Sequence, residues 1–140
     1  MSTHKQAPMI EATIGFAADA QGLGVAYVAT RRAKGSLLLR LPFKVKRYPA
    51  LLDREVAYAA LTVAARALRE RGVHRVAFGV SDPDLVADVT QRRPVPPSIT
   101  LPYVRLGCAL NQFTEYHLTV EPNDDLSARA RAEVALSVAA

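Results

Sequence analysis

The stretch LLDREVAYAALTVAARALRERGVHRVAFGV, residues 51–80, changes its period partway along. From Leu51 to Arg71 the apolar side chains of Val56, Ala60, Val63, Ala64, Ala67 and Leu68 recur at helical spacing, and Gly72 is a natural stop. Val73 to Val80 then reads as a strand, apolar enough to lie in the middle of a sheet. A helix delivered straight into a central strand puts the chain among the α/β folds, and its flanks decide which one.

Upstream, three strands follow one another. In Met9 to Phe16, Ile10, Ala12, Ile14 and Phe16 alternate with Met9, Glu11, Thr13 and Gly15. Ala17 to Gly24 reads as a turn, Val25 to Thr30 as a second strand, Arg31 to Gly35 as a basic hairpin loop and Ser36 to Leu41 as a third strand. Such short connections imply an antiparallel meander. Downstream, Pro83 opens a short helix through Val89, and the proline-rich Gln91 to Ser98 is irregular. Thr100 caps a helix ending near Asn111, Thr114 to Val120 is a fifth strand, and Leu126 to Ala139 is a closing helix. The expected architecture is a five-stranded mixed sheet flanked by helices, one domain over residues 9–140 preceded by a polar tail, residues 1–8.

A chain of 140 residues suits one domain with a real core. No apolar run reaches the length of a membrane span, and Met1 to Pro8 lacks the apolar stretch of a secretory signal. Cys108 is the only cysteine, which excludes an internal disulfide or a cysteine-based zinc site and makes a reduced, cytoplasmic setting the default expectation. The net charge of +5 leaves room for a polyanionic partner, although arginine-rich and alanine-rich chains are often basic without one.

Several local sequences resemble those of ribonuclease H-like domains. Ala57-Tyr58-Ala59-Ala60-Leu61, followed by Arg69-Glu70-Arg71-Gly72-Val73 and Arg75-Val76, is similar to the family's A-E-Y-x-A-L helix leading into strand four. Leu85 to Val89 is similar to the helix after that strand, and Val120-Glu121-Pro122 with Ser127 to Arg131 resembles V-P-x-E-x-N-x-x-A-D. The likeness runs from Met9 to Ala139 in the family's element order.

That family cleaves nucleic acid with divalent metal held by clustered carboxylates, an arrangement that is unfavourable without the cations. The resemblance puts the first aspartate of the family's D-G step at Ile14, before Gly15, and the helix-borne glutamate at Ala57, two residues after Glu55. The aspartate after strand four falls on Ser81 or Asp82, and the last on Arg131. Isoleucine and alanine offer no ligand atom, and an arginine repels a cation. The expectation is a degenerate site without metal or cofactor, in which Arg131 stands in the place of the metal's charge and pairs with Asp82 or a phosphate. A residual metal site built from Asp19, Glu55, Asp82 and Glu133 is the alternative, and periodicity gives these four no reason to converge.

Candidate nucleic-acid contacts are the basic loops: Arg31, Arg32 and Lys34; Lys44, Lys46 and Arg47 beside Tyr48; Arg92 and Arg93; and Arg131. A solvated edge accounts for the same lysines equally well. His4, His74 and His117 lack metal-ligand spacing, and Cys108, in an apolar helix, is expected to pack as a small hydrophobe. Two classes stay open: a catalytically silent binder of DNA or RNA, and a protein-interaction or homo-oligomerising scaffold that uses Pro94 to Val104 and the alanine-rich last helix. They differ in whether the cations gather on one face.

Overall fold

The computed structural model describes residues 7–32, 35–46 and 53–139. Strands β1 (Met9–Ala18), β2 (Leu23–Arg32) and β3 (Gly35–Lys44) come first, then helix α1 (Asp53–Glu70) and strand β4 (Arg75–Val80). Helices α2 (Pro83–Thr90) and α3 (Pro97–Leu110), strand β5 (Glu115–Val120) and helix α4 (Asp124–Ala139) complete the chain. The sheet order is β3-β2-β1-β4-β5. The first three strands pair antiparallel, whereas β4 runs parallel to both β1 and β5. This is the mixed five-stranded sheet that the periodicities predict. Among the described residues no helix is long and apolar enough to cross a membrane.

The elements extend beyond their apolar runs because backbone ladders continue through polar side chains. Arg31 and Arg32 are therefore not loop residues: they belong to β2, in register with Ser36 and Gly35. β3 runs on to Lys44. Residues 33 and 34, at the hairpin tip, lie outside the described residues. α3 begins at Pro97 rather than Thr100, because proline suits a first turn whose amide has no intrahelical partner. α4 begins before Leu126, where the side chain of Asn123 accepts the Leu126 amide at 3.0 Å.

β1 sits at the centre and is covered on both faces. On one face Ile14 and Phe78 meet the alanine-rich side of α1, where Ala57, Ala60 and Ala64 are fully buried and let the helix approach closely. On the other face α4 lays Leu126 and Ala130 over Val25 and Tyr27. Tyr27 donates its hydroxyl to Glu133 at 3.0 Å, Arg40 bonds the same carboxylate, and the guanidinium of Arg129 stacks 4.9 Å from the Tyr27 ring centre. α4 crosses β1 at Gly15, where an added Cβ would stand 2.4 Å from the backbone at Leu126 and Ser127.

That crossing explains the glycine. Gly15→Ala is expected to destabilise the protein by about 2–3 kcal/mol, because the obstructing atoms are helix backbone and cannot rotate aside. Denaturant unfolding measures it; a change within about 0.5 kcal/mol, typical of surface substitutions, would contradict the close crossing.

Candidate nucleic-acid interface

Of the positions that the resemblance assigns to metal ligands, Ile14 and Ala57 are core residues and Asp82 is a capping residue. Ile14 and Ala57 each have 0% exposure and lie in the same apolar cluster beneath α1. Asp82 caps α2: its Oδ1 accepts the amides of Asp84 at 2.9 Å and Leu85 at 3.1 Å. Arg131 is exposed on α4. It is the backbone at Leu126 and Ser127, one turn earlier, that crosses Gly15. Among the described residues Arg131 forms no ion pair with Asp82.

The four acids of the alternative site are also dispersed. Asp19 closes its own turn by accepting the amides of Gln21 at 2.8 Å and Leu23 at 3.0 Å. Glu133 holds Tyr27 and Arg40, and it shares a small cavity of about 110 Å3 with Asp19. Glu55 and Asp82 belong to the helices on the opposite face. Among the described residues no group of three or more His, Cys, Asp or Glu is placed to hold a metal ion. The donor set does not fit a pair of divalent ions.

The predicted cations separate into three groups. Lys44 and Lys46, at the end of β3, line a groove of about 410 Å3 together with Arg66 of α1 and Arg105 of α3. All four are exposed and form the rim. The buried floor carries Phe43, Val45, Glu55, Tyr58 and Thr62, and Leu101 and Pro102 of α3 contribute further apolar lining. Arg31 lies elsewhere: it opens into a groove of about 390 Å3 on the other sheet face, in register with Glu11. The side chain of Arg32 is not described, and Lys34 and Arg47 lie outside the described residues.

Arg93 is committed to a buried partner. Its Nη2 donates to Asp88 Oδ1 at 2.9 Å and to the carbonyl of Asp84 at 3.2 Å. Asp88 is 1% exposed and also accepts the hydroxyl of Tyr58 at 2.9 Å, while Arg54 approaches its other oxygen at 3.5 Å. Burial first, and then the Asp88 carboxylate, push the Tyr58 hydroxyl well above the ordinary tyrosine range. Neighbouring Arg92 takes a left-handed backbone, φ 51°, which turns the chain after α2. Arg92 itself is exposed on that turn, away from the residues that line the groove. Cys108, expected in the core, is exposed on α3. His117 is exposed and pairs with Glu115 at 2.6 Å.

Sequence reading missed Arg66, Arg105 and the buried partner role of Asp88. The two arginines become neighbours of Lys44 and Lys46 only through the packing of α1 on α3, which leaves no local signature.

No protein-family profile and no curated protein matches the chain by sequence. Solved structures match it in shape. Ribonuclease H1 from the halophilic archaeon Halobacterium salinarum superposes with a TM-score of 0.73 at 17% identity, covering 93% of this chain and 99% of that one. LC11 ribonuclease H1, isolated from compost by a metagenomic approach and solved in complex with an RNA/DNA hybrid, gives 0.70 at 15% identity over 94% and 99%. The N-terminal ribonuclease H domain of a Mycobacterium tuberculosis protein gives 0.69 at 14% identity over 93% and 98%. At these identities the likeness establishes a ribonuclease H-like fold.

The floor of the groove has a measurable signature. Glu55 is 7% exposed, and desolvation holds its carboxyl above the ordinary glutamate range. The folded state therefore keeps this proton to a higher pH than the unfolded chain does. The stability it contributes is full at low pH and is lost as pH rises through the folded value. Glu55→Gln is expected to melt above the parent at pH 7, with the gap closing as pH falls below the ordinary glutamate range. A gap that is independent of pH would contradict the burial of an ionised group.

Proposed function

We propose that this ribonuclease H-like chain is a catalytically silent nucleic-acid binder that grips phosphates, without reading sequence, along the groove between β3, α1 and α3. The observation that carries the reading is the convergence of Lys44, Lys46, Arg66 and Arg105 on one rim. Among the described residues none of the four is engaged in an ion pair, whereas Arg40, Arg54, Arg75 and Arg93 all are. Free cations around a concave surface raise the local potential and attract a polyanion. The fold adds support, since one of its solved relatives holds an RNA/DNA hybrid.

The silent part of this reading is supported by Ile14 and Ala57, whose aliphatic side chains carry no oxygen for magnesium or manganese and are packed away from solvent. The domain works without metal or cofactor, and in a cytoplasmic setting its partner is DNA or RNA. Arg31, Arg32, Lys34, Arg47, Arg92 and Arg131 are secondary contacts in this reading, separate from the groove. The second reading, a homo-oligomerising or protein-binding scaffold, is favoured by one specific feature: Leu101 and Val104 on α3 and Leu136 on α4 are all more than half exposed.

If each rim cation neutralises one phosphate, the log–log salt slope on duplex DNA is expected to be about −3.6. Lys44→Glu, Lys46→Glu and Arg105→Glu together are expected to flatten it to near zero while barely moving the melting temperature, as for exposed residues generally. RNA–DNA hybrid is expected to survive incubation with the protein and magnesium or manganese. Ile14→Asp alone restores no cleavage, because one ligand does not assemble a two-ion clamp. No binding to any oligonucleotide at about 50 mM salt, where such electrostatics are strong, would leave the scaffold reading.

A further inference from the structure

The outer edge of the sheet at β3 carries a row of backbone groups whose direction the register fixes. In an antiparallel pair, alternate residues turn both N–H and C=O toward the neighbouring strand. The Asp19 amide donates to the Leu23 carbonyl at 2.8 Å, and the Val45 amide donates to the Gly22 carbonyl at 2.7 Å, each continuing the register of its ladder. Odd-numbered residues of β2 therefore bond β1 and even-numbered ones bond β3, where their partners are the odd-numbered residues. Ser36, Leu38 and Arg40 are left with N–H and C=O directed away from the sheet, and so is Pro42, which has no N–H to offer. Among the described residues nothing pairs with that edge. β3 ends the strand order, and Ser36, Leu38, Arg40 and Pro42 are all exposed.

Proteins blunt free edges with charge, proline or bulges. Here Pro42 and Lys44 guard only one end, and the other reads Ser36-Leu37-Leu38-Leu39-Arg40. Leu37 and Leu38 are 40% and 44% exposed, one on each face of the strand. Arg40 is the one charge in the stretch, and Glu133 already neutralises it. The stretch is also self-complementary. Its outward groups are evenly spaced about Leu38, so an antiparallel copy sets Ser36 opposite the partner's Arg40 and Leu38 opposite itself. Every outward N–H then meets an outward C=O, and Leu37 comes beside the partner's Leu39. Pro42 falls beyond the start of the partner's strand, where its missing N–H costs nothing. An added peptide would leave its own outer edge free, whereas a second copy closes both edges at once.

We propose that two copies of this chain pair antiparallel along Ser36 to Arg40 of β3, about a two-fold axis at Leu38, and join their five-stranded sheets into one. The axis stands perpendicular to the sheet, so α1 of both copies lies on the same side, and the two cationic grooves with it. The pairing does not rest on the nucleic-acid reading. It uses the sheet edge rather than the exposed leucines of α3 and α4.

The paired stretch is short, so the dimer is expected to be concentration-dependent. Sedimentation equilibrium of the full chain, up to about 1 mM, is expected to show reversible exchange of monomer and dimer. Leu38→Pro is expected to weaken the dimer at least about tenfold, because each copy loses a bridging hydrogen bond at the axis. Its monomer keeps its melting temperature, since the N–H removed faces solvent. Leu39→Pro, one residue on, removes a bond to β2 and is expected to lower the melting temperature instead. Leu38→Lys sets two like charges at the axis and weakens the dimer by another route. With the exposed Cys108 replaced by serine, Leu38→Cys is expected to link two copies by a disulfide, since opposed, hydrogen-bonded residues stand about 5.5 Å apart at Cα. Ser36→Cys in the same background faces the partner's Arg40 and is expected not to. A chain that stays monomeric throughout the range overturns the pairing and leaves the edge to an extended peptide of another protein. A dimer unchanged by Leu38→Pro and Leu38→Lys overturns it in favour of the exposed leucines on the helices. Crosslinking through position 36 and not 38 overturns the register.

Discussion

The step Ile14–Gly15 on the central strand has a helix pressed on each side of it, and the rest of the molecule is arranged around that sandwich. On one side, burying Ile14 is worth about 2–3 kcal/mol and draws the alanine face of α1 down onto the sheet. On the other, the missing side chain of Gly15 lets the backbone of α4 cross at a distance that any Cβ would forbid. Ile14 is the position to which the sequence resemblance assigns a metal-binding aspartate. Ile14 and Ala57 belong to one continuous hydrophobic core.

The arginines have been divided along the same lines. Arg93 and Arg54 converge on buried Asp88 and tie α1, α2 and the turn that follows into one unit, and Arg40 clamps α4 through Glu133. Arg75 bonds Glu115 at 2.8 Å and the Ala7 carbonyl at 3.0 Å, fastening the start of β1 to β4 and β5. The hydrogen bond from His117, and then that from Arg75, hold the Glu115 carboxyl below the ordinary range. Net positive charge therefore overstates what the surface offers a polyanion. Among the described residues, Lys44, Lys46, Arg66 and Arg105 carry no ion pair and lie together around one groove.

Much of this was legible in the residues. The alternation in Met9 to Phe16 and the 3.6-residue period in α1 define the elements, and the order of meander and crossover then fixes a mixed sheet. That Ile14 and Ala57 offer no ligand atom was equally plain, because an aliphatic side chain needs no structure to interpret. What periodicity does not carry is long-range adjacency. Arg66 and Arg105 are thirty-nine positions apart and meet only because α1 packs on α3. Arg93 reads as a loop cation in sequence, and the left-handed turn at Arg92 folds it back onto Asp88. The ends of β2 and β3 were read short for a simpler reason: Arg31 and Lys44 stay in the ladder through backbone hydrogen bonds that side-chain polarity conceals.

The central claim is that recognition has moved from a metal site at Ile14 to a cationic groove built by β3, α1 and α3. Amide chemical-shift mapping during titration with a short single-stranded oligonucleotide, with and without magnesium, tests it most directly. The account predicts shifts concentrated at Lys44 to Lys46, around Glu55 to Arg66 and from Ser98 to Arg105, the same in both conditions. Shifts gathered instead at Ile14, Asp82 and Ser127, and appearing only when magnesium is present, would contradict it.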